Sequence, residues 1–394
     1  MSSRTELPVV SDLNVVSLLE TLVSLNTENP PGRELEAARF LAGVLESLGC
    51  EVTLDEFEPG RANVIATYVN GPGPTFAFNT HIDVVPAGAD WEYDPFVARI
   101  ADDRLYARGA CDAKGPLAAM VMAVADLIAS RDRWSGTLMA IFVADEEVGS
   151  AGAKHFAAIT EQAIDYVVVG EPTSNQPVIA HKGSLRPIVR IHGKSAHSGT
   201  PDLGINALYE AAKLVGLVER THRQVKCHHH HLVGNASLTI TRLNGGHADN
   251  VVPDRCDLML DRRMVPGESE AQVRSDIQAM LDLAANEFGL HTEIVEWKAT
   301  TGGASETEQS HPVVAATVEA ARRVAANGEV NIGGFQGGCD LVHFRKLGAN
   351  GVVIGPGSLA VAHQPEEFVP LAELESAVGL YRDIVLGLLK RAAV

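Results

Sequence analysis

The chain has few of the features that mark a secreted, membrane-bound or nucleic-acid-binding protein. Its first 16 residues hold no apolar run of the length that a signal peptide or a membrane span requires. Basic residues are scarce, because 32 Lys and Arg stand against 50 Asp and Glu and give a formal net charge of −18. Nucleic acids and anionic membrane surfaces bind basic patches. We therefore expect neither as a partner.

Cysteine is also sparse, and its distribution excludes a disulfide framework. The five cysteines are odd in number and widely scattered, at positions 50, 111, 227, 256 and 339. This pattern favours a reduced, cytoplasmic protein. Cys111 adjoins a candidate metal ligand, but no histidine nearby in the sequence is free to activate it. We interpret Cys111 as a packing residue.

The order of strand-like and helical patterns predicts two domains, one inserted in the other. Up to residue 182, short apolar runs such as TLMAIFVA alternate with helical segments, which is typical of an α/β fold with a mostly parallel sheet and helices on both faces. From 183 to 298 the order is β-α-β-β-α-β, typical of a ferredoxin-like α+β domain. The first pattern resumes from 299 to 394. We predict that 1–182 and 299–394 form a catalytic domain and that 183–298 form a smaller inserted domain.

Histidine and carboxylate side chains follow several separate strand-like runs. His81 ends TFAFNTH, Glu146 and Glu147 follow TLMAIFVA, and Glu171 follows YVVVG. Taken singly, such a histidine is usually a satisfied polar residue, and such a carboxylate is often a helix cap. Ligands of open α/β sheets bind beyond the carboxyl ends of the strands, so the fold would bring these residues together. Asp112, in a loop before a buried helix, could reach the same crevice.

Charge balance favours a pair of divalent metal ions at this crevice. Asp112, Glu147, Glu171 and a bridging hydroxide supply four negative charges, which two divalent cations neutralise. Histidine and carboxylate ligands without thiolate suit Zn²⁺, with Co²⁺ or Mn²⁺ as substitutes. Asp83, two residues after His81, is placed to orient that imidazole. One of the two adjacent glutamates need not bind metal and can shuttle a proton from water to a leaving amine.

The motifs around these residues resemble, in order and spacing, those of one family of co-catalytic dinuclear zinc hydrolases. They are THIDVVP, ARGACDAKG, ADEEVGSAGA, VVGEPT, GKSAHSGTPDLGINA, DRRMVPGES, GGCD and GPGSLAVAHQPEEFV. The family includes acetylornithine deacetylase, succinyl-diaminopimelate desuccinylase, aminoacylase and the glutamate carboxypeptidases, and the deacetylase/desuccinylase group is the most similar. The resemblance implies a zinc exopeptidase-like catalytic domain, with 183–298 as lid and dimerisation surface.

The resemblance also implies which residues hold the two metal ions. His81 and Glu171 would bind one ion, Glu147 and His363 the other, and Asp112 would bridge them. The last carboxylate is Glu171 in VVGEPT, where glutamate is typical of the deacylase branches and aspartate of the aminopeptidases. Glu146 would then be the general base.

Further roles are implied for residues outside the metal ligands. Asp83 would be the partner of His81, and His197 would stabilise the oxyanion, reaching in from the other subunit of a homodimer. Arg263 and Asn250 match positions that bind the substrate's carboxylate or acyl oxygen. Arg262 precedes Arg263 on a predicted strand, so only one of these two should face the site.

The glycine-rich GGCD stretch is a further candidate for substrate contact. Gly337 and Gly338 suggest that backbone approaches a ligand closely, although they could simply form a turn. Threonine or serine is common in the family where Cys339 stands, which puts in question the transfer of substrate contacts here. Gly338 is retained as a candidate substrate-binding residue.

Together these implications predict a metal-dependent deacylase. A metal-bridging hydroxide would attack the amide of an N-acyl amino acid and release the acyl group. Two alternatives remain open: a dipeptidase or carboxypeptidase using the same centre, with a short peptide as substrate, and a hydrolase of an unusual C–N bond. A binding protein that has lost catalysis would lack a ligand or the base, and all are present.

A run of four histidines, 228–231, lies outside these motifs. It follows Cys227 in the loop between a helix and a strand of the inserted domain. Adjacent histidines can bind metal opportunistically. Because the run is far in sequence from the other ligands, we predict an exposed loop without a catalytic role.

Overall fold

The computed structural model describes residues 14–325 and 327–391. Its contacts divide the chain into two compact units. The described part of the larger unit falls within Met1–Ile179, Thr307–Gly333 and Cys339–Val394, and the smaller unit comprises Ala180–Glu306 and Gly334–Gly338. Among the described residues, no helix combines the length and the apolar character needed to cross a bilayer.

The secondary structure follows the alternation expected from the sequence. The helices are α1 (Val15–Ser24), α2 (Leu35–Ser47), α3 (Lys114–Ala129), α4 (Ala151–Ile159), α5 (Ala207–Val225), α6 (Glu270–Phe288), α7 (Pro312–Val324), α8 (Leu341–Lys346) and α9 (Leu371–Leu388). The strands are β1 (Glu51–Glu58), β2 (Arg61–Val69), β3 (Thr75–His81), β4 (Arg99–Ala101), β5 (Arg104–Tyr106), β6 (Thr137–Val143), β7 (Tyr166–Val169), β8 (Val178–His181), β9 (Gly183–His192), β10 (His229–His230), β11 (Gly234–Asn235), β12 (Ser237–Gly245), β13 (Arg255–Met264), β14 (His291–Lys298), β15 (Ser305–Glu306), β16 (Gly333–Phe335), β17 (Asn350–Val353) and β18 (Phe368–Pro370).

The larger unit is built on a mixed sheet whose centre is parallel. Strand β3 pairs in parallel with β6 and β7, and β7 pairs in parallel with β17. Strands β2 and β1 extend the sheet in antiparallel fashion beyond β6. Every residue of β3 is buried, so both faces of the sheet are covered. Helices α1, α3, α7 and α9 pack as one group, while α4 packs on α8 and α2 on β1 and β2. The predicted α/β fold class is confirmed.

The smaller unit contains a four-stranded antiparallel sheet in the order β12-β13-β9-β14. Helices α5 and α6 pack on this sheet through apolar side chains. These include Leu214 and Leu217 from α5, Met280 and Leu281 from α6, and Leu258 and Leu260 from β13. The strand order and the β-α-β-β-α-β sequence are those of a ferredoxin-like unit. Amphipathic helices over one face of an antiparallel sheet account for the alternating burial along β13.

The limits of the smaller unit differ from the predicted limits, 183 and 298. The unit extends to Glu306, because β15 pairs with the end of β8 through Ser305 and Glu306. It also takes in 334–338, and the backbone N–H of Lys182 donates to the carbonyl of Phe335 at 3.1 Å. These pairings join segments that are more than a hundred residues apart, so no local sequence pattern predicts them.

Candidate metal centre

Three neighbouring strands end where the candidate ligands begin. His81 is the last residue of β3, Glu146 and Glu147 follow β6, and Glu171 follows β7. Because β3 lies between β6 and β7 and runs parallel to both, their carboxyl ends meet at one edge of the sheet. The side chains of four predicted site residues therefore share one edge, as ligands of open α/β sheets do.

Two residues from loops, Asp112 and His363, complete the cluster. His81 Nε2 lies 3.2 Å from Asp112 Oδ1, and His363 Nε2 lies 3.2 Å from Asp112 Oδ2 and 3.1 Å from Glu147 Oε2. Ligand atoms of His81, Asp112 and Glu147 all lie within 4.8 Å of one another. The two oxygens of Asp112 thus face different histidines, which is the arrangement that a bridging carboxylate requires.

A second set of ligand atoms overlaps the first. His81, Glu146 and Glu171 also offer atoms within 4.8 Å of one another. Glu146, the predicted base, and Glu171, the predicted ligand, both fall within this limit. Distance alone does not separate the base from the ligands.

His363 differs from the other members in its exposure. Its side chain is 53% exposed, whereas those of Asp112 and Glu147 are 7% and 6% exposed. Its backbone φ is +64°, in the left-handed region that is uncommon for residues other than glycine. The centre is therefore more open to solvent at His363 than at Asp112 and Glu147.

Burial and crowding raise the pKa of the carboxyl groups at this edge. For Glu146 and Glu171, desolvation raises the pKa well above the usual value, and the carboxylates around them raise it further. The pKa of Glu147 is raised by desolvation and by the charge of Asp112. For Asp112, burial acts in the same direction, but bonds with His363 and His81 bring the pKa below its usual value. The cluster carries more negative charge than its histidines compensate.

This cluster fits a pair of divalent cations. Glu147 Oε1 is buried and has no hydrogen-bond partner among the described residues. Imidazole and carboxylate donors without thiolate suit Zn²⁺, Co²⁺ or Mn²⁺. Positive charge at this edge would offset the repulsion that raises the carboxyl pKa values. His81, Asp112 and Glu171, together with Glu147 and His363, are the residues that would hold the two ions.

Asp83 lies beside His81, as the predicted partner of that imidazole must, and contacts it chiefly through the backbone. His81 Nδ1 donates to the backbone carbonyl of Asp83 at 2.8 Å, while Asp83 Oδ1 lies 3.6 Å away, beyond hydrogen-bond reach. The Asp83 carboxylate instead accepts from the backbone N–H groups of Glu146 and Glu147, at 3.1 and 3.2 Å. The backbone of Asp83 orients the imidazole, and its side chain positions the two glutamates.

Asp145 and its partners form a supporting network that the sequence patterns did not reveal. Asn29 Nδ2 donates to Asp83 at 2.8 Å and to Asp145 at 2.9 Å, which links the loops after β3 and β6. Asp145 also accepts from Arg61 at 2.7 Å, and Arg61 pairs with the buried Glu34. Asp145 directly precedes Glu146 in the ADEE motif. The motif alone does not indicate that Asp145 supports the site instead of contributing to the ligand cluster.

Glu367 and Arg108 hold the loop that carries Asp112. Glu367 Oε1 accepts from the backbone N–H groups of Cys111 and Asp112, both at 2.9 Å. Its other oxygen accepts from Arg108 at 2.5 Å, and both side chains are buried. Glu366 and Glu367 are adjacent in the sequence, so only the fold distinguishes the buried Glu367 from the partly exposed Glu366. No sequence pattern reveals this pair.

Asp340 is a further buried carboxyl group near the centre. Burial raises its pKa to about 6. Its charge in turn raises the pKa of Glu146 and Glu171.

Gly338, predicted as a substrate contact, lies in the smaller unit, where an added Cβ would come within 2.9 Å of Thr301. Thr301 is thus one close neighbour of the Gly338 backbone, and the contact with substrate stays a prediction.

The other predicted substrate-binding residues also lie in the smaller unit. His197 is exposed, and the N–H of the next residue, Ser198, donates to the carbonyl of Asn250 at 3.0 Å, so these two segments are neighbours. On β13, Arg262 is buried and paired with Glu268, while Arg263 is partly exposed. The two arginines thus face opposite sides of the sheet, as alternation along a strand requires.

The fold and the cluster at its sheet edge define the class of protein. An α/β unit with two histidines and four carboxylates clustered at one edge of its sheet is typical of a hydrolase with a dinuclear metal centre. The donors are all nitrogen and oxygen atoms.

Comparison with known proteins identifies the family. The chain belongs to peptidase family M20/M25/M40, whose family model matches residues 77–387. Acetylornithine deacetylase of Aliivibrio salmonicida is 31% identical over 344 residues, covering 86% of this chain and 88% of the relative. A probable succinyl-diaminopimelate desuccinylase of Staphylococcus epidermidis is 28% identical, covering 97% of this chain and all of the relative.

Solved structures share the fold at lower sequence identity. An M20 metallo-carboxypeptidase of Sulfolobus solfataricus gives a TM-score of 0.77 at 21% identity, covering 95% of this chain and 99% of the other. A dinuclear metal-binding M20 peptidase of Bacillus subtilis gives 0.72 at 19% identity, covering 95% and 97%. The predicted family is confirmed, and the protein is a metal-dependent hydrolase of amide bonds.

Proposed function

We propose that the protein removes the acyl group from an N-acyl amino acid. The observation that carries this proposal is the cluster of His81, Asp112, Glu146, Glu147, Glu171 and His363 at one sheet edge. It combines enough ligands for two ions with one carboxylate to spare. Relatives named as acetylornithine deacetylase and succinyl-diaminopimelate desuccinylase, aligned over most of the chain, support the deacylase reaction.

Glu146 is the residue that moves the proton. When two divalent ions are bound, they supply Lewis acidity and lower the pKa of water to about 7. Glu146 takes the proton from the attacking water and passes it to the amine that leaves. Asp83 holds the backbone N–H groups of Glu146 and Glu147 and so fixes the position of the base.

His197 is proposed as the donor to the oxyanion. Its Nδ1 accepts a hydrogen bond from the backbone N–H of Gly199 at 2.9 Å. A neutral ring that accepts at Nδ1 carries its proton on Nε2, so Nε2 is a hydrogen-bond donor. The side chain is exposed and free to reach a substrate. Loss of a comparable donor costs about 3 kcal/mol of barrier.

Arg263 is proposed to bind the carboxylate of the substrate. Its guanidinium is 30% exposed and pairs with Asp261 at 2.7 Å, so it is held in place but remains accessible. The planar guanidinium can bind a carboxylate in bidentate fashion. Asn250, next to the His197 segment, would contact the acyl oxygen.

A homodimer through the smaller unit, acting in the cytoplasm, is part of the same proposal. Leu203, Ile205 and Tyr209 expose 68%, 51% and 72% of their surface near the start of α5, and such apolar surface favours a protein contact. The five free cysteines agree with a reducing compartment. Light scattering on a size-exclusion column gives the oligomeric state directly, and a monomer at micromolar concentration would argue against the dimer.

A hydrolysis panel tests the proposed reaction. Protein loaded with Zn²⁺, Co²⁺ or Mn²⁺ is incubated with acetylornithine, succinyl-diaminopimelate, other N-acyl amino acids and dipeptides, and products are quantified by mass spectrometry. We expect the highest kcat/KM on one N-acyl amino acid, with Glu146→Gln inactive on all. Turnover of dipeptides alone would replace the deacylase assignment with a peptidase. Undiminished turnover by Glu146→Gln would refute the role of the base.

A further inference from the structure

A second group of metal-ligating side chains lies in the smaller unit. His230, His231 and Glu306 each offer a ligand atom, and these atoms lie within 4.8 Å of one another. His230 Nε2 is 3.1 Å from Glu306 Oε1, and the rings of His230 and His231 are 4.5 Å apart. None of the three belongs to the centre at the edge of the larger sheet.

A short hairpin brings the two histidines to the same side. Strand β10 pairs with β11 through His230 and Gly234, and residues 231–233 form the turn. Gly234 has φ of +70°, a conformation that glycine adopts without strain. Side chains of successive strand residues point to opposite faces, but His231 lies in the turn and is free of that alternation. Two adjacent histidines can therefore present nitrogen atoms to one point.

Glu306 reaches this point from a separate element. It lies on β15 and pairs with Ala180 of β8. The His230 side chain is only 11% exposed, and Glu306 is 37% exposed, so both are partly held by their surroundings. The cluster thus joins a hairpin to a sheet strand about 75 residues away in the sequence, rather than being a run of solvated histidines.

The separations match those found at the larger unit's centre. The 3.1 Å between His230 Nε2 and Glu306 Oε1 compares with 3.1 Å between His363 and Glu147 and 3.2 Å between His81 and Asp112. Two imidazoles and one carboxylate are a donor set of Zn²⁺, Ni²⁺, Co²⁺ and Cu²⁺ rather than of Ca²⁺ or Mg²⁺, which prefer oxygen.

We propose that His230, His231 and Glu306 form an additional site for a divalent transition-metal ion. The three side chains supply two nitrogen ligands and one oxygen ligand, and water completes the coordination. The ion ties the β10–β11 hairpin to β15. This site is separate from the hydrolytic centre and does not depend on the proposed reaction.

The hydrogen bonding of His230 sets the affinity of this site below that of the main centre. His230 Nδ1 accepts from the backbone N–H of Leu232 at 3.3 Å, so the neutral ring carries its proton on Nε2, facing Glu306. A metal ion must displace this proton to Nδ1 and break the Leu232 bond. His81 has the opposite arrangement, because its Nδ1 donates to a carbonyl and leaves Nε2 free to ligate. The additional ion is therefore the first to be lost on dialysis.

Metal stoichiometry on the full chain tests the proposal. The protein is equilibrated with excess Zn²⁺, washed briefly, and analysed for zinc per chain by mass spectrometry, with titration calorimetry giving the affinities. We expect His231→Gln and Glu306→Gln each to bind one zinc fewer per chain than the unaltered protein. Glu306→Gln retains an acceptor for His230, so it tests the ligand role without removing the hairpin contact.

His229→Gln is the matched control, because His229 is an exposed member of the same histidine run and outside the cluster. We expect it to bind as much zinc as the unaltered protein. A loss of zinc in His229→Gln equal to that in His231→Gln would show that the run binds as an unstructured tract, which overturns the site. Unchanged stoichiometry in both His231→Gln and Glu306→Gln would overturn it as well.

Discussion

The two units each bring histidine and carboxylate side chains to similar distances, but they support them differently. In the larger unit, His81 is buried and its Nδ1 is fixed by the carbonyl of Asp83. In the smaller unit, His231 is exposed and His230 Nδ1 accepts from Leu232. Residue type and distance therefore define a cluster of candidate ligands. Burial, together with the hydrogen bond made by the ring nitrogen that does not face the metal, decides how well a histidine binds a metal ion.

The largest expected effect separates chemistry from metal binding within the larger unit. Glu146→Gln cannot exchange a proton, so we expect kcat to fall about 10³-fold. Metal content, measured by mass spectrometry on the same sample, should be unchanged. Glu161→Gln, an exposed residue after α4, is the control and should retain full activity. Loss of metal together with activity would instead make Glu146 a ligand.

Variants of the adjacent residues Glu366 and Glu367 test how the loop that carries Asp112 is held. Glu367→Gln leaves the buried Arg108 without its counter-charge, so we expect the free energy of unfolding to fall by about 3 kcal/mol. Glu366 pairs with Arg99 at a site about one third exposed, so Glu366→Gln should cost no more than about 1 kcal/mol. Urea denaturation gives both values. Equal effects would show that burial does not distinguish the two.

The bridging role of Asp112 is tested against a ligand on one side only. Asp112→Asn removes the negative charge of the carboxylate whose two oxygens face His81 and His363. We therefore expect the affinity for both ions to fall at least about 100-fold. His363→Asn should weaken one ion and leave the other. Calorimetric titration with Zn²⁺ resolves the two steps. Loss of a single ion in Asp112→Asn would argue against a bridge.

Substrate binding by the smaller unit is tested on one face of β13. Arg263→Gln should raise KM about 30-fold, equivalent to about 2 kcal/mol for a charged hydrogen bond, with little change in kcat. Arg255→Gln is the control, since Arg255 lies on the same face of the strand and is exposed. If both variants kept the original KM, the carboxylate would bind elsewhere.

The smallest expected effect concerns a second buried histidine, His181, to which the described residues supply no acidic partner. Burial lowers its pKa to about 4, whereas the acidic groups around His81 raise the pKa of that histidine despite burial. Below about pH 6.5 the unfolded chain binds a proton at His181 that the folded chain does not, so stability falls as pH falls towards 4.

The comparison with His181→Gln isolates this contribution. At about pH 5.5 the advantage of the unaltered protein over the variant should be about 1 kcal/mol smaller than at about pH 7. Urea unfolding at the two pH values measures it. A constant difference between the two proteins would mean that His181 titrates alike in both states.

The sequence by itself determined the fold class and predicted the candidate residues of the metal centre. Apolar runs fix buried parallel strands, and polar residues placed directly after them must meet at one edge, because parallel neighbours end together. His81, Glu146, Glu147 and Glu171 follow from this rule. Strand alternation predicts that only one of Arg262 and Arg263 faces the site, and the resemblance to the family favours Arg263.

Only the tertiary structure decided which residues support those ligands. Asn29, Arg61, Arg108 and Glu367 reach the centre from distant segments, by hydrogen bonds that leave no periodic pattern in the chain. The same reason hid the approach of Glu306 to His230, and the extension of the smaller unit to 334–338. Local sequence records which side chains are available and on which face. Which distant groups they meet depends on how the strands and loops pack, and that is set by the whole fold.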